Sequence, residues 1–220
     1  MKEDLLLPVY QKLYAALASL ERFGKGQDLY DNIACIDSFL SEYRNVTFVL
    51  QKSLAHTGYI SLYENLRDKY LKNDQCSWLV KKRNEVLKER PFALEKKFIL
   101  TIYLPHTAGV FHSESYTIED EVDYESLIES VKTIISNISA IEVFFSVEFV
   151  YKEIASDVNL FDSINYGIEA LLSLIVELDK EIGNEVSPMR KTVQNKIEKL
   201  LFHRIPKDTW FIDDYVYYRE

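Results

Sequence analysis

Asp28–Leu54, DLYDNIACIDSFLSEYRNVTFVLQKSL, decides the fold class. Ile33, Ile36, Leu40, Tyr43, Thr47, Leu50 and Leu54 recur at steps of three, four and seven. That spacing puts them on one face of a helix about six turns long. Asp28 is a suitable N-cap. Behind it, Gly24 and Gly26 end the preceding segment, and ahead His56-Thr57-Gly58 breaks the stripe.

Working outward, Leu6, Val9, Tyr10, Leu13, Leu17 and Leu20 predict a first helix within Leu5–Phe23. Ile60, Tyr63, Leu66 and Tyr70 predict a third. A fourth carries Cys76, Leu79, Val80, Val86 and Leu87, with Asn73 or Asp74 as its cap and Arg90-Pro91 as its stop. A residue before proline disfavours the helical region. Four amphipathic helices with short connections predict an antiparallel four-helix bundle, the expected domain of residues 1–94.

The pattern changes after that. Phe98, Leu100, Ile102 and Leu104 alternate, and Val110–Ile118 is polar and aromatic, with Pro105 to Gly109 between them. This is a β-hairpin signal. Asp123 can cap a helix containing Leu127, Ile128, Val131, Ile134, Ile135 and Ile138. Ile141–Val158 fits two periods: Val143, Val147, Val150, Tyr151 and Ile154 a helix, Phe145, Val147, Phe149 and Tyr151 a strand. Its length favours the helix. Leu160–Ile182 reads as a long helix ending at Gly183, and Ser187-Pro188 opens a last one running to about Phe202. Trp210–Glu220 is aromatic and acidic, suited to an extended edge segment. The expectation is a mainly α protein, with 95–220 a helical C-terminal region bearing a small hairpin and an extended tail.

The chain has 220 residues, 47% of them hydrophobic, enough to bury a core in one domain or two small ones. Its net charge of −9 repels phosphate at long range, which argues against broad non-specific nucleic-acid binding. The densest local exception is Lys81, Lys82, Arg83, Lys88 and Arg90, whose simplest role is a solvated helix face. Cys35 and Cys76 lie in apolar patterns, and His56, His106, His112 and His203 lack metal-ligand spacing, so neither a metal nor a cofactor is expected. Asp213-Asp214 lacks a third ligand at a diagnostic spacing. Glu119, Asp120, Glu121 and Asp123 suit a helix start, where the macrodipole favours negative charge. The aromatic tail residues Trp210, Phe211, Tyr215, Tyr217 and Tyr218, with only Lys207 and Arg219 among them, read as packing. The N-terminal apolar run is too short for a signal or membrane segment, so a cytoplasmic location is expected.

One string carries a chemical signature. Trp78–Pro91, WLVKKRNEVLKERP, places Arg83-Asn84 on the last helix of the bundle. It resembles the motif region of the HEPN superfamily, in which Arg, a polar residue and a His a few positions on lie on that helix. Ser38–Leu54 is similar to the long second helix of bacterial HEPN-like proteins. The resemblance covers roughly residues 5–92. It implies a helical bundle, a homodimer and, where the motif is complete, metal-independent RNA cleavage shared between two subunits. Here Lys88 stands where the His would be. Arginine is permanently charged and binds phosphate in a bidentate manner, whereas histidine titrates near neutrality and can serve as acid or base. A lysine is ordinarily protonated at neutral pH and is no general base.

The resemblance therefore implies a non-catalytic protein that binds or regulates, in a toxin–antitoxin or defence setting. Arg83, Asn84, Glu85 and Lys88 are the candidate site for RNA, a nucleotide or a protein partner. The alternative is a divergent ribonuclease using Arg83, Asn84 and Lys88. The purely structural alternative pairs Arg83 with Glu85, Glu89 or a neighbouring helix, and Lys88 with Glu85.

Overall fold

The computed structural model describes residues 4–23, 29–103, 110–117, 126, 129–131, 133, 143–154, 156, 158–183, 185–202, 210–211 and 215–217. The protein is mainly α-helical, with a small antiparallel sheet. It divides into two compact units. One comprises Met1–Ala93 with Leu160–Lys207, the other Leu94–Asn159 with Asp208–Glu220. The boundary after Ala93 falls where the hydrophobic period changes. The residues beyond it are not one unit, because Leu160–Lys207 belongs with the N-terminal helices.

In the helical unit, α1 is Leu7–Leu20, α2 Leu29–Leu54, α3 Ile60–Leu71, α4 Asp74–Lys88, α5 Leu160–Ile182 and α6 Pro188–Phe202. The expected core residues Ile36, Leu40, Tyr43, Leu50, Leu66 and Leu79 are all buried. Three hydrogen bonds set the direction of the rods. Tyr63 Oη donates to the Thr47 carbonyl at 3.2 Å, Tyr43 Oη to Cys76 Sγ at 3.7 Å, and the Phe92 amide to Asp37 Oδ1 at 3.3 Å. Positions on α2 fall as those on α3 and α4 rise. Hence α3 and α4 follow one another along α2, both antiparallel to it. Asn73 starts the second segment, its side chain accepting from the Cys76 amide at 2.9 Å.

The four rods of the bundle are α1, α2, α3 continued by α4, and α5. Tyr59 Oη meets the Ile182 carbonyl and Lys69 meets Glu177, so α5 runs antiparallel to the broken rod. Tyr10 reaches Asp179, and the Phe23 and Phe161 rings meet edge-on at 5.3 Å, so α1 also opposes α5. Gly167 makes close packing possible: a Cβ there would overlap Leu79 Cδ1 and lie 3.3 Å from the Tyr43 hydroxyl. Gly183, with φ of 59°, supplies the left-handed residue after α5. Ser187 then caps α6, its hydroxyl accepting from the Arg190 amide at 3.2 Å.

The second unit holds β1 (Leu94–Tyr103), β2 (Val110–Thr117), β3 (Val143–Glu153) and β4 (Val158–Asn159), in the order β2-β1-β3-β4, all antiparallel. Two short strands of the tail, β5 (Trp210–Phe211) and β6 (Tyr215–Tyr217), also pair with β3. The hairpin expected from the sequence is β1–β2. The helix expected over Ile141–Val158 is instead β3. Its partner β1 supplies an unbroken register from Leu94↔Glu153 to Tyr103↔Phe144, and the run VFFSVEFVY is rich in the β-branched and aromatic residues that suit a pleated surface. Ser126, Glu129, Ser130, Val131 and Thr133 are helical, as the capped stripe after Asp123 predicts. Glu119 to Asp123, His106, His203, Lys207, Asp213, Asp214, Tyr218 and Arg219 lie outside the described residues.

Candidate functional site

The four expected site residues share the second half of α4. Arg83 is half-buried, and its guanidinium donates to the Asn84 side-chain oxygen at 3.1 Å. Its Nε is buried and has no acceptor among the described residues. Asn84 and Lys88 are exposed. Glu85 is the hub of this end of the helix. Lys82 Nζ reaches its carboxylate at 2.9 Å and the Arg90 guanidinium at 2.6 Å, and its backbone carbonyl accepts the amides of Glu89 and Arg90. The hydrogen bond from Lys82, joined by that from Arg90, holds the Glu85 carboxyl below the ordinary carboxylate range.

Two expectations change. Glu85 pairs with Lys82 and Arg90, not with Lys88 or Arg83. A proline-bounded chain end brings Arg90 back over the helix terminus, and Lys82 is one turn away on the same face. Arg83 pairs with its neighbour Asn84 instead of a carboxylate. The structure thus leaves one guanidinium, one amide and one exposed lysine along this stretch.

A second constellation lies at the other end of α4. A cleft of about 490 Å³ opens between α2, α3 and α4. Its lining comprises Tyr43, Arg44 and Thr47 from α2, Arg67, Asp68 and Leu71 from α3 with Lys72 just after it, and Cys76, Ser77, Val80 and Lys81 from α4. The break between α3 and α4 makes it: where the broken rod turns, side chains of two helices and their junction converge on α2. Arg44 is held against α2 itself, donating to Thr47 Oγ1 at 2.9 Å with its guanidinium 4.2 Å above the Phe48 ring. Asp68 receives Arg67 through Nε and Nη2 at 2.9 and 2.7 Å, and Lys72 at 3.5 Å. The hydrogen bond from Arg67 keeps its carboxyl low. Burial pushes the Tyr43 hydroxyl up, so it stays protonated and donates to the thiol.

Of the linear basic run, only Lys81 belongs to this cleft. Arg44 is far in sequence from Arg67 and Lys72, and none of the three belongs to that run. The one available signal was Arg44, a cation set between Tyr43 and Thr47 at the margin of the long apolar stripe. Among the described residues, no group of three or more His, Cys, Asp and Glu side chains is arranged to hold a metal ion, and no helix is long and apolar enough to cross a membrane. No known protein family matches the chain, and no curated protein or solved structure shows a significant similarity to it.

Proposed function

We propose that this is a bacterial HEPN-like protein that acts by binding or regulation and does not cleave RNA. The observation that carries this reading is the state of α4 between Arg83 and Lys88. Cleavage through the ribose 2′-hydroxyl needs a group to take a proton, a group to return one and a cation for the phosphorane. This stretch supplies only the cation. The helix carries no histidine, Glu85 is tied up as an ionised carboxylate between Lys82 and Arg90, and Lys88 stands exposed, where water hydrates its ammonium. What remains suits recognition. The Arg83 guanidinium meets no carboxylate among the described residues, and its neighbour Asn84 offers an exposed amide. RNA, a nucleotide or an acidic protein surface would satisfy them, and the resemblance adds a homodimer and a toxin–antitoxin or defence setting.

The test is cleavage of a labelled RNA in EDTA by the wild type, Arg83→Ala and Lys88→Ala, with the molar mass of each sample taken by light scattering at micromolar concentration. We expect no cleavage above background and the mass of a dimer. Cleavage by the wild type that both substitutions abolish would establish the divergent ribonuclease instead. A strictly monomeric protein would remove the shared-cleft part of the reading.

A further inference from the structure

The geometry points to the cleft between α2, α3 and α4 as a binding site for a small organic phosphate, one with an aromatic or aliphatic body of about the size of a nucleoside monophosphate. The site shares no residue with the Arg83–Lys88 stretch and stands independently of the reading given for it.

Three observations carry the assignment. The first is charge. The protein has 35 acidic and 26 basic residues, yet this cleft gathers Arg44, Arg67, Lys72 and Lys81 around the single carboxylate of Asp68. A concave surface of one sign focuses the field and raises the local concentration of an oppositely charged ligand. Asp68 does not cancel it. It engages Arg67 through two hydrogen bonds and the exposed Lys72 at 3.5 Å, and leaves Arg44 and Lys81 without a carboxylate among the described residues.

The second observation is the division between rim and floor. Leu71, Val80, Cys76 and the Tyr43 ring supply apolar surface, Arg44 and Arg67 lie half-buried beside it, and Lys72, Ser77 and Lys81 are exposed. Such a mixture of apolar wall with a few convergent polar groups is the ordinary make-up of a small-molecule pocket, and about 490 Å³ falls in the usual size range. An inorganic ion would waste the floor, and a long nucleic-acid strand would need a groove that continues beyond it. A phosphate head at the rim with a body on the floor uses both.

The third is preorganisation. Arg44 is positioned by Thr47 and by the Phe48 ring beneath it, so its fork loses little freedom on meeting an oxyanion. The guanidinium fork matches an oxyanion in geometry, and a phosphate monoester, with more charge than a carboxylate, engages more of the cations gathered here.

Calorimetric titration of the 220-residue protein with AMP, adenosine, inorganic phosphate and hexanoate at low salt tests this. AMP is expected to bind, more tightly than adenosine or phosphate alone by about tenfold or more, since each separate part forfeits one half of the site. Lys72→Ala with Lys81→Ala removes two exposed rim charges without touching the core, and is expected to weaken AMP binding about tenfold or more. Val80→Glu, which puts a carboxylate on the floor, is expected to abolish it, with a circular dichroism spectrum confirming the fold. AMP binding that Arg83→Ala removes and the Lys72/Lys81 double variant keeps would place the nucleotide on the α4 stretch and overturn the assignment to this cleft. Several results would overturn the proposal: no binding of AMP, AMP binding indifferent to the Lys72/Lys81 double variant, phosphate binding as tightly as AMP, or hexanoate binding where AMP does not.

Discussion

Arg190 shows how much one residue can hold. It is fully buried, yet its guanidinium reaches Asp4 Oδ1 at 3.0 Å and Asp179 Oδ1 at 3.0 Å, with Tyr10 donating to the same Asp179 at 3.3 Å. A charge in that position is tolerated only because carboxylates meet it. Asp4 also accepts the Ser187 amide at 3.1 Å, which ties the segment before α1 to the start of α6. Burial alone would raise the Asp4 carboxyl. Hydrogen bonds from the Ser187 side chain and backbone, with the charge of Arg190, overcome that and leave it lowered. A carboxylate depressed in the folded state contributes stability above its unfolded pKa, near 3.9 for Asp. The contribution is lost as pH falls below that value towards the folded one. Asp4→Asn is therefore expected to destabilise the protein at neutral pH, by up to about 3 kcal/mol because Asp179 still meets the guanidinium. It should also flatten the loss of stability below pH 4. Urea melts at pH 7 and pH 3 measure both, and an equal cost at the two pH values would show that Asp4 acts through its shape alone.

At the scale of the element, α5 is the helix on which the bundle closes. It buries Leu160, Phe161, Ile164, Ile168, Leu171, Leu174, Ile175, Leu178 and Ile182, an apolar face running its whole length. At Gly167 it packs closely against α4 and α2. A methyl group there meets the end of Leu79 and crowds the Tyr43 hydroxyl, both themselves buried. Overpacking costs about 1–3 kcal/mol, against a helix-propensity gain of up to about 1 kcal/mol for alanine over glycine. Gly167→Ala is expected to lose about 1 kcal/mol net and Gly167→Val more, read as a falling urea midpoint with unchanged slope. A stabilised Gly167→Ala would mean that the helices stand further apart than the packing around Leu79 implies. The element scale also shows where periodicity runs out. Val143–Glu153 fits both a helical and an alternating pattern, and length chose wrongly between them. β1 decides it, by offering a full edge of backbone donors and acceptors that a helix would leave unpaired.

For the molecule as a whole, the consequence is that the first ninety-odd residues are an incomplete fold. α3 and α4 form one broken rod, so residues 1–93 supply three rods, and the fourth arrives only with α5. The nine buried apolar side chains of α5 cover the faces that carry Phe23, Tyr43 and Leu79, and without them that surface meets water. A fragment ending at Ala93 is expected to show no cooperative thermal transition and to expose its core to a hydrophobic dye. A chain in which a short Gly/Ser linker joins Ala93 to Leu160 tests the same point from the other side. The fragment fails by this account whether or not the linker is long enough, so a cooperative melt from residues 1–93 alone would refute it.

The sequence by itself determined the helices, their buried faces and most of their ends. Ile36, Leu40, Tyr43, Leu50, Leu66 and Leu79 are core because a 3.6-residue repeat leaves them no other face. Asn73, Gly183 and Ser187 mark boundaries because capping is local chemistry, and the β1–β2 hairpin follows from alternation within a short span. The Arg83–Lys88 stretch was legible too, since its residues are neighbours along one helix. Only the tertiary structure decided what depends on distant partners: that α5 is the fourth rod, that Val143–Glu153 is a strand, and that Glu85 pairs with Lys82 and Arg90. It alone assembled the cationic cleft. Arg44, Arg67, Lys72 and Lys81 come from two helices, a junction and a third helix. No spacing along the chain encodes their convergence, because it is set by how the broken rod packs along α2.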